Sequence, residues 1–410
     1  MDEVLQALFD FTGPRLPGRS SLVAMRAAMP LLDNPHQQLR VVHVAGTSGK
    51  TSTSYYIRGL LDRCGFRTGM TISPHIQGLN ERVQIGGAPL EEQALCAYAE
   101  QMLAVLEPLR GQLTYFELMT CLALWVFVRE QVDYAVVEVG IGGRDDATNV
   151  LARGDKVAVI TPVGLDHTEK LGCTIEQIAA HKAGILVLGG LGLVVGQSAA
   201  ALDVIKERAW EIGATVEVVE PDLQAWPGDL PDYQRGNWAV ALRTVSALAS
   251  RDGFAGPMGD LEDVKRVSPP ARYEWIDVPG HRVLVDGAHN PQKMTALVDT
   301  IEAQGLGPFT TLATLSTAPE EKAIETIRAL APVVSRLIIP EFVLGSEDKV
   351  KVSLAAHDVA WVASQEGIEA EVVPELDAAV ETLLADPAHD LLVTGSLYLA
   401  ALVRPMLMGR

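Results

Sequence analysis

The chain has 410 residues, of which 48% are hydrophobic, so it is long enough to bury two cores. Its 52 acidic and 33 basic residues give a formal net charge of −19, which argues against nucleic acid and anionic membranes as partners. The four cysteines lack metal-ligand spacing and disulfide density, and no apolar run is long enough to span a bilayer, so we expect a cytoplasmic protein.

Short β-branched segments alternate with helical segments, which predicts an α/β fold with a mostly parallel sheet. The first strand spans Val41–Ala45, and the helix that follows it is predicted to end at Gly65. The later strands of this sheet are each close to continuously hydrophobic, as strands buried on both faces are. They read TGMTIS, YAVVEVG, VAVITPVG and LGLVVGQ.

A second α/β segment follows a break in periodicity. A proline- and acid-rich passage at 223–231 precedes a helix predicted at 237–250, and DVKRVSPPARYEW then places the domain boundary near Ser268. Beyond it the predicted strands read RVLVDG, FTTLATL, RLIIPEF and DLLVTGS. We therefore predict a mostly parallel α/β domain at 1–268, a smaller Rossmann-like α/β domain at 269–410, and an active site in the cleft between them.

The stretch VVHVAGTSGKTST, Val41 to Thr53, carries a glycine-rich turn between a strand and a helix. Such a turn holds polyphosphate: backbone N–H groups of Gly46 to Lys50 are expected to point inward, the Lys50 ammonium adds charge, and the Thr51 hydroxyl can ligate Mg²⁺. The spacing is that of a shortened P-loop, and the alternative is a glycine turn with a solvated lysine. The strand and helix on either side favour phosphate binding. The predicted binding residues are Gly46, Thr47, Ser48, Gly49, Lys50, Thr51 and Ser52.

Other strands deliver polar groups to the same edge of the sheet, where open α/β sheets bind ligands. Ser73, Glu138 and the pair Asp166–His167 lie at or just beyond strand ends, so with Thr51 they could surround one Mg²⁺. A histidine is an unusual ligand for this cation, which prefers oxygen. Each residue also has a structural alternative: Ser73 as a turn residue, Glu138 as a member of a buried ion pair, and His167 as a hydrogen-bonding residue at a helix start. Their convergence on one edge favours the metal.

Two further stretches suggest chemistry. In VDGAHNP, a strand leads through Asp286 and His289 to Asn290, the expected N-cap of a helix that starts at Pro291. Asp286 and His289 are candidates to hold a ribose or a γ-phosphate. In LGCTIEQIAAHKAGI, Lys182 is predicted on the exposed side of a helix, where a solvated lysine is the simpler interpretation.

With these motifs the sequence resembles the folylpolyglutamate synthase and dihydrofolate synthase family, relatives of the Mur ligases. The resemblance covers almost the whole chain, with the family motifs in order and at suitable separations. They are LLDNP, HVAGTSGKTS, SPHIQGLNERV, FELMT, VVEVGIGGRDDATN, GLDHTEKLG, IAAHKAGI, YQRGN, DGAHNP and TGSLY.

The resemblance implies an ATP-dependent ligase that joins L-glutamate to a pteroate or to the γ-carboxyl group of a folate through an acyl phosphate. It implies ATP, one or two Mg²⁺ ions and a carbamylated Lys182 as cofactors, a mobile SPHIQGLNERV loop beside the pterin, and a monomer. The residues implied in catalysis are Lys50, His167, Lys182 and His289. Those implied in Mg²⁺ binding are Thr51, Ser73, Glu138 and His167. Those implied in further nucleotide contacts are Asn237, Arg272, Asp286 and His289.

Several positions depart from the family pattern. Ser48 and Thr51 give a turn closer to that of Mur ligases, His181 replaces a glutamate, and Tyr233 replaces a histidine. STAPEEKAIETI stands where a DKD-type segment is usual, which leaves glutamate specificity open. Two alternatives therefore remain: a Mur-type ligase acting on a nucleotide-linked sugar peptide, and a regulatory nucleotide switch, for which no NKxD-like segment is found.

Overall fold

The computed structural model describes residues 2–14, 20–76, 78–221, 230–267, 269–316, 319–346 and 349–409. The chain divides into two compact units. The first comprises Met1–Ala225 and Gln234–Val267, and the second Trp226–Tyr233 and Ser268–Arg410. Ser268, where the sequence places the boundary, and most of the proline- and acid-rich passage lie outside the described residues.

The first unit is built on one sheet. Its strands in chain order are β1 (Val41–Ala45), β2 (Thr68–Thr71), β3 (Gln84–Ile85), β4 (Ala88–Pro89), β5 (Tyr134–Glu138), β6 (Val157–Ile160), β7 (Leu191–Val195) and β8 (Thr215–Val219). Among the described residues the spatial order is β4-β3-β2-β5-β1-β6-β7-β8, and the strands are parallel from β2 to β8. β3 and β4 are antiparallel additions at one edge. The predicted mostly parallel sheet is confirmed.

Helices cover both faces of this sheet, as a parallel sheet requires. They are α1 (Asp2–Phe11), α2 (Ser21–Leu31), α3 (Lys50–Arg63), α4 (Glu92–Leu106), α5 (Tyr115–Arg129), α6 (Thr168–Leu171), α7 (Ile175–Ala183), α8 (Ala199–Glu211), α9 (Gln234–Asp252) and α10 (Glu262–Lys265). One core joins α1, α2, α4 and α5 to the sheet and another joins α7 and α8 to it, while α3 contacts β5 and α9 contacts β7. α5 starts at a capping box, in which Glu117 N donates to Thr114 Oγ1 and Thr114 N donates to Glu117 Oε2.

The second unit holds a smaller sheet with strands β9 (Glu274–Val278), β10 (His281–Val285), β11 (Phe309–Ala313), β12 (Val334–Ile339), β15 (Ala370–Val372) and β16 (Asp390–Thr394), and a separate hairpin, β13 (Val343–Ser346) and β14 (Lys349–Val352). In the described part of this unit the order is β15-β12-β11-β16-β10-β9, with β9 alone antiparallel. Its helices are α11 (Pro291–Ala303), α12 (Glu320–Leu330), α13 (Ala356–Gln365), α14 (Leu376–Leu384) and α15 (Leu397–Met408). None of the helices in the described ranges is long and apolar enough to cross a membrane.

Two local predictions are confirmed at helix ends. α3 stops at Arg63, and Gly65 follows with a φ of 87°, the left-handed conformation that commonly terminates helices. Asn290 caps α11, because its side chain accepts a hydrogen bond from Lys293 N at 2.9 Å and Pro291 is the first helical residue.

A lysine and a histidine are buried at the sheet of the first unit. Lys156 precedes β6, His43 lies in the middle of β1, and both side chains are buried. The Lys156 amine donates to Leu151 O at 2.6 Å and lies 3.3 Å from His43 Nδ1. Burial lowers the pKa of Lys156 to about 7. Burial, followed by the Lys156 charge, lowers the pKa of His43 well below its ordinary value.

We expect Lys156 to make the free energy of unfolding rise with pH between about 7.5 and 9. In this range the unfolded chain holds the lysine proton, whose usual pKa is 10.5, and the folded protein releases it, so raising the pH favours the folded state. One such group contributes up to about 1.4 kcal/mol per pH unit, which gives about 2 kcal/mol over this range.

Urea unfolding of the wild type and of Lys156→Met at about pH 7.5 and about pH 9 measures this contribution. The variant should lack the rise, whereas Lys206→Met, which removes an exposed lysine of α8, should keep it. Equal rises in the wild type and in Lys156→Met would contradict the lowered pKa.

Candidate active site

The glycine turn after β1 presents the first turn of α3. Gly49 precedes the helix with a φ of 83°, and no side chain among the described residues caps it. The N–H groups of Gly49–Ser52 have no acceptor inside the helix, because an α-helix leaves its first four N–H groups unpaired. These groups, with the positive end of the helix and the Lys50 ammonium, fit a phosphate group.

The turn itself is fastened to the segment that follows β6. Thr47 N and Ser48 N both donate to Pro162 O, at 2.9 and 3.3 Å. The expectation that the amides from Gly46 to Lys50 all point inward is therefore wrong for these two, which have a structural partner. The amides available for a ligand are shifted towards α3.

Side chains reinforce this fastening. Thr161 Oγ1 donates to Ser48 O at 2.6 Å, and Thr47 Oγ1 donates to Gly164 O at 3.0 Å. A β-carbon added at Gly46 would lie 1.7 Å from Thr161 Oγ1, so only glycine fits there. The sequence motif did not reveal Thr161, because its role depends on the neighbouring strand.

Three of the predicted metal-binding residues come together at this edge. Thr51 Oγ1 lies within hydrogen-bonding distance of both carboxylate oxygens of Glu138, at 3.1 and 3.0 Å. Glu138 is the buried last residue of β5, which pairs with β1 and so ends beside the glycine turn. Ser73 lines the same small cavity as Glu138. The hydroxyl and carboxylate oxygens fit the ligand preference of Mg²⁺, and their metal binding stays a prediction.

His167 is a half-exposed residue before α6 with a φ of 51°, and it is not among the residues that line the cavity beside Glu138. Burial lowers the pKa of His167, and the Lys50 charge lowers it further, whereas Asp166 opposes this effect. The ring is therefore within electrostatic range of the lysine of the glycine turn. In the described ranges there is no group of three or more His, Cys, Asp or Glu side chains arranged for a metal ion. A cation here would depend on hydroxyl, phosphate and water oxygens as well.

Lys182 is buried, so its predicted place on the exposed side of a helix is wrong. It lies on α7 on the same face as Ile178 and Ala179, which are also buried. The glycine-rich segment after β5 covers this part of α7: Arg144 N donates to the carbonyl oxygen of the residue before Lys182 at 2.7 Å. A β-carbon added at Gly143 would lie 3.3 Å from Lys182 Cα.

The cavity beside Glu138, which we call the acceptor cavity, is lined by Thr71, Ile72, Ser73, Arg82, Phe116, Met119, Thr120, Glu138 and Thr148. Phe116 Cζ lies 2.6 Å from where a β-carbon at Gly140 would be, so this glycine admits the ring. Arg82 Nε donates to His75 Nδ1 at 3.0 Å. Burial, with the Arg82 charge, lowers the pKa of His75 to about 4, so the ring is a neutral acceptor. Arg82, Phe116 and Thr148 were not identified from the sequence as lining residues.

Asn237, a predicted nucleotide contact, lies against the glycine turn within the first unit. A β-carbon added at Gly49 would lie 2.2 Å from Asn237 Oδ1. Asn237 Nδ2 donates to Gln234 Oε1 at 2.9 Å, and Gln234 Nε2 donates to Ser52 Oγ at 3.1 Å. The start of α9 is thereby connected to α3.

The remaining candidates belong to the second unit. Asp286 is buried, and its carboxylate accepts hydrogen bonds from Tyr273 N and Ala288 N, both at 2.8 Å, so it holds the turn after β10. Burial raises the pKa of Asp286, while the Arg272 charge lowers it. His289 Nδ1 lies 2.8 Å from a carbonyl oxygen of its own turn. Nucleotide contacts of Arg272, Asp286 and His289 stay a prediction.

Comparisons with known proteins identify the family of the chain. Residues 44–195 match the Mur ligase middle domain, and residues 271–397 match the glutamate ligase domain of Mur ligases. The chain is 33% identical over 428 residues to folylpolyglutamate synthase of Lacticaseibacillus casei, which covers 97% of this chain and 96% of that protein. It is 30% identical over 315 residues to dihydrofolate synthase/folylpolyglutamate synthase of Bacillus subtilis, covering 69% and 72%. A solved FPGS–AMPPCP–folate complex superposes with a TM-score of 0.80 at 30% identity, covering 100% of this chain and 99% of that one.

Proposed function

Because the chain belongs to the folylpolyglutamate synthase and dihydrofolate synthase family of Mur ligases, we propose that it ligates L-glutamate to dihydropteroate, to the γ-carboxyl group of a folate, or to both, at the expense of ATP. One observation carries this proposal. The Glu138 carboxylate contacts the Thr51 hydroxyl of the glycine turn and also lines the acceptor cavity. A phosphate group on the turn and the reacting carboxylate of an acceptor at the cavity would thus meet beside Glu138.

The chemistry follows from the weakness of a carboxylate as an acylating agent. Its oxygen attacks the γ-phosphorus of ATP, the bond to ADP breaks, and an acyl phosphate forms. The glutamate amine then attacks the acyl carbon, loses a proton and expels phosphate, which leaves an amide. Most of the catalytic work is charge stabilisation, which the N–H groups of Gly49–Ser52 and the Lys50 ammonium would provide.

Thr51, Ser73, Glu138 and His167 would hold Mg²⁺, for which two sites are possible. Bound Mg²⁺ would neutralise charge on the β- and γ-phosphates. Thr51 and Glu138 already orient each other through their hydrogen bond, so the protein side of this site is arranged before a ligand binds. The oxygen donors are what support the assignment.

Other roles in the proposal depend on the family resemblance. Lys182 would carry a carbamate that presents a negative charge, and its burial supports a role inside the protein. Asn237, Arg272, Asp286 and His289 would contact the nucleotide. We assign ATP binding to residues 1–268 and the ligase domain to 269–410, and propose a monomer in the cytoplasm.

Purified protein incubated with ATP, Mg²⁺, L-glutamate and either dihydropteroate or tetrahydrofolate tests the proposal. Phosphate release and the product mass should show one added glutamate per ATP with at least one acceptor. Reactions that omit the glutamate or the acceptor are the controls. Release of phosphate with nucleotide-linked sugar peptides alone would establish the Mur-type alternative, and release with no acceptor would favour a nucleotide switch.

A further inference from the structure

Four buried side chains form a hydrogen-bonded chain whose third member, Thr148, lines the acceptor cavity. Its first link is the contact between Lys156 and His43 Nδ1. On the other side of the ring, His43 Nε2 lies 2.8 Å from Thr148 Oγ1. Thr148 Oγ1 donates to Asp146 Oδ1 at 2.6 Å. All four side chains are buried, and the chain runs from the start of β6 through β1 to the segment after β5. We call it the buried chain.

The donors in the buried chain point in one direction. A threonine hydroxyl has one proton, and that of Thr148 goes to Asp146, so its oxygen accepts from His43 Nε2–H. The neutral His43 ring then has a lone pair on Nδ1, which an N–H of Lys156 meets. Lys156 and Thr148 thereby favour the same His43 tautomer, the one whose Nε2–H donates to Thr148.

The far end of the buried chain shapes the site. Asp146 Oδ1 also accepts from Thr148 N, and Asp146 Oδ2 accepts from Ile141 N, each at 3.0 Å. These bonds hold the glycine-rich segment 140–146, which lies on α7 beside Lys182. Thr148 itself lines the acceptor cavity together with Glu138. A change in the His43 tautomer would therefore be transmitted to the cavity wall.

We propose that Lys156 and His43 are positioning residues for the acceptor. By fixing the orientation of the Thr148 hydroxyl they hold one wall of the acceptor cavity and the segment after β5, and they leave the glycine turn to its own fastening at Thr161. This inference rests on the proposed function, because it takes the cavity as the place where the reacting carboxylate of the pteroate or folate lies. Neither residue touches a substrate.

Steady-state kinetics of His43→Leu and Lys156→Met test whether the buried chain affects the KM for the acceptor and not the KM for ATP. Each change leaves a buried partner without its hydrogen bond, so the KM for the acceptor should rise about 10-fold in His43→Leu and about three-fold or more in Lys156→Met. The KM for ATP should stay within about two-fold. Thr161→Val should raise the KM for ATP and leave the KM for the acceptor nearly unchanged, since it loosens the glycine turn and not the cavity wall.

A spectroscopic readout separates positioning from general destabilisation. In protein labelled with ¹⁵N-histidine, His43 should show the Nε2–H tautomer, and Lys156→Met should shift the Nδ1 resonance downfield because the Nδ1 lone pair loses its donor. The inference is overturned if Lys156→Met leaves the Nδ1 resonance at its wild-type position, or if the KM values for acceptor and ATP rise together. If the wild type ligates glutamate to neither acceptor, the proposed function fails, while the Nδ1 resonance still decides whether Lys156 donates to His43. Should His43→Leu not fold, Lys156→Met carries the test.

Discussion

Lys50→Ala should lower kcat/KM for ATP about 10³-fold and weaken nucleotide binding. Lys50 is the first residue of α3 and stands where the N–H groups of the helix start converge. Its ammonium would neutralise charge that accumulates on the γ-phosphoryl oxygens during transfer, and removing one such stabilising group costs about 10²–10³-fold or more. The amides remain in the variant, so residual activity is expected.

The matched control is Lys206→Ala, which removes an exposed lysine of α8 and should leave both quantities within about two-fold. Lys50→Arg keeps the charge but changes its geometry, so it should recover only part of the loss. Calorimetric titration with a non-hydrolysable ATP analogue measures the binding. Intact ATP affinity and turnover in Lys50→Ala would show that the glycine turn does not hold phosphate.

The sequence predicted the central strands of both sheets, because strands buried on both faces are recognisable as continuous apolar runs. It did not predict β3, β4, β8, β9, β15 or the β13–β14 hairpin. β3 and β4 have two residues each, too few to show a period, and β8 is a half-exposed edge strand with a mixed pattern. Edge strands carry a weaker pattern since one side of the strand lacks a partner.

The candidate site divides along similar lines. Thr51, Ser73 and Glu138 could be placed together because the ends of parallel strands meet at one edge. The burial of Lys182 was missed although its spacing of three and four residues from Ala179 and Ile178 shows that it shares their face. Helical periodicity applied to this lysine would have placed it inside.

Other features depend on contacts that a single sequence does not encode locally. Thr47 N and Ser48 N donate to Pro162 O of the segment after the neighbouring strand β6, and no motif indicates which amides are already paired. The acceptor cavity gathers Arg82, Phe116 and Thr148 from separate loops and a helix. Their motifs were recognised in the sequence, but their convergence needs the fold.

Glu138→Gln should lower kcat/KM for ATP about 10²-fold or more and raise the Mg²⁺ concentration needed for half-maximal activity. The glutamine side chain has the shape of glutamate, and its amide oxygen can still accept a hydrogen bond from the Thr51 hydroxyl. The substitution therefore mainly removes the negative charge. Mg²⁺ is held largely by carboxylate and phosphate oxygens, and the neutral amide is a weaker ligand. Rates measured across a Mg²⁺ series give both quantities.

Nucleotide binding with and without Mg²⁺ provides the sharper test, because the sign of the effect should reverse. A buried carboxylate beside a polyphosphate repels it unless a cation lies between them. In EDTA, Glu138→Gln should therefore bind a non-hydrolysable ATP analogue more tightly than the wild type, and in excess Mg²⁺ more weakly. Glu117→Gln, an equally buried glutamate of the α5 capping box, should show no reversal. Tighter binding by Glu138→Gln under both conditions would mean that no cation is held at this carboxylate, and the metal assignment of Thr51 and Ser73 would then fall with it.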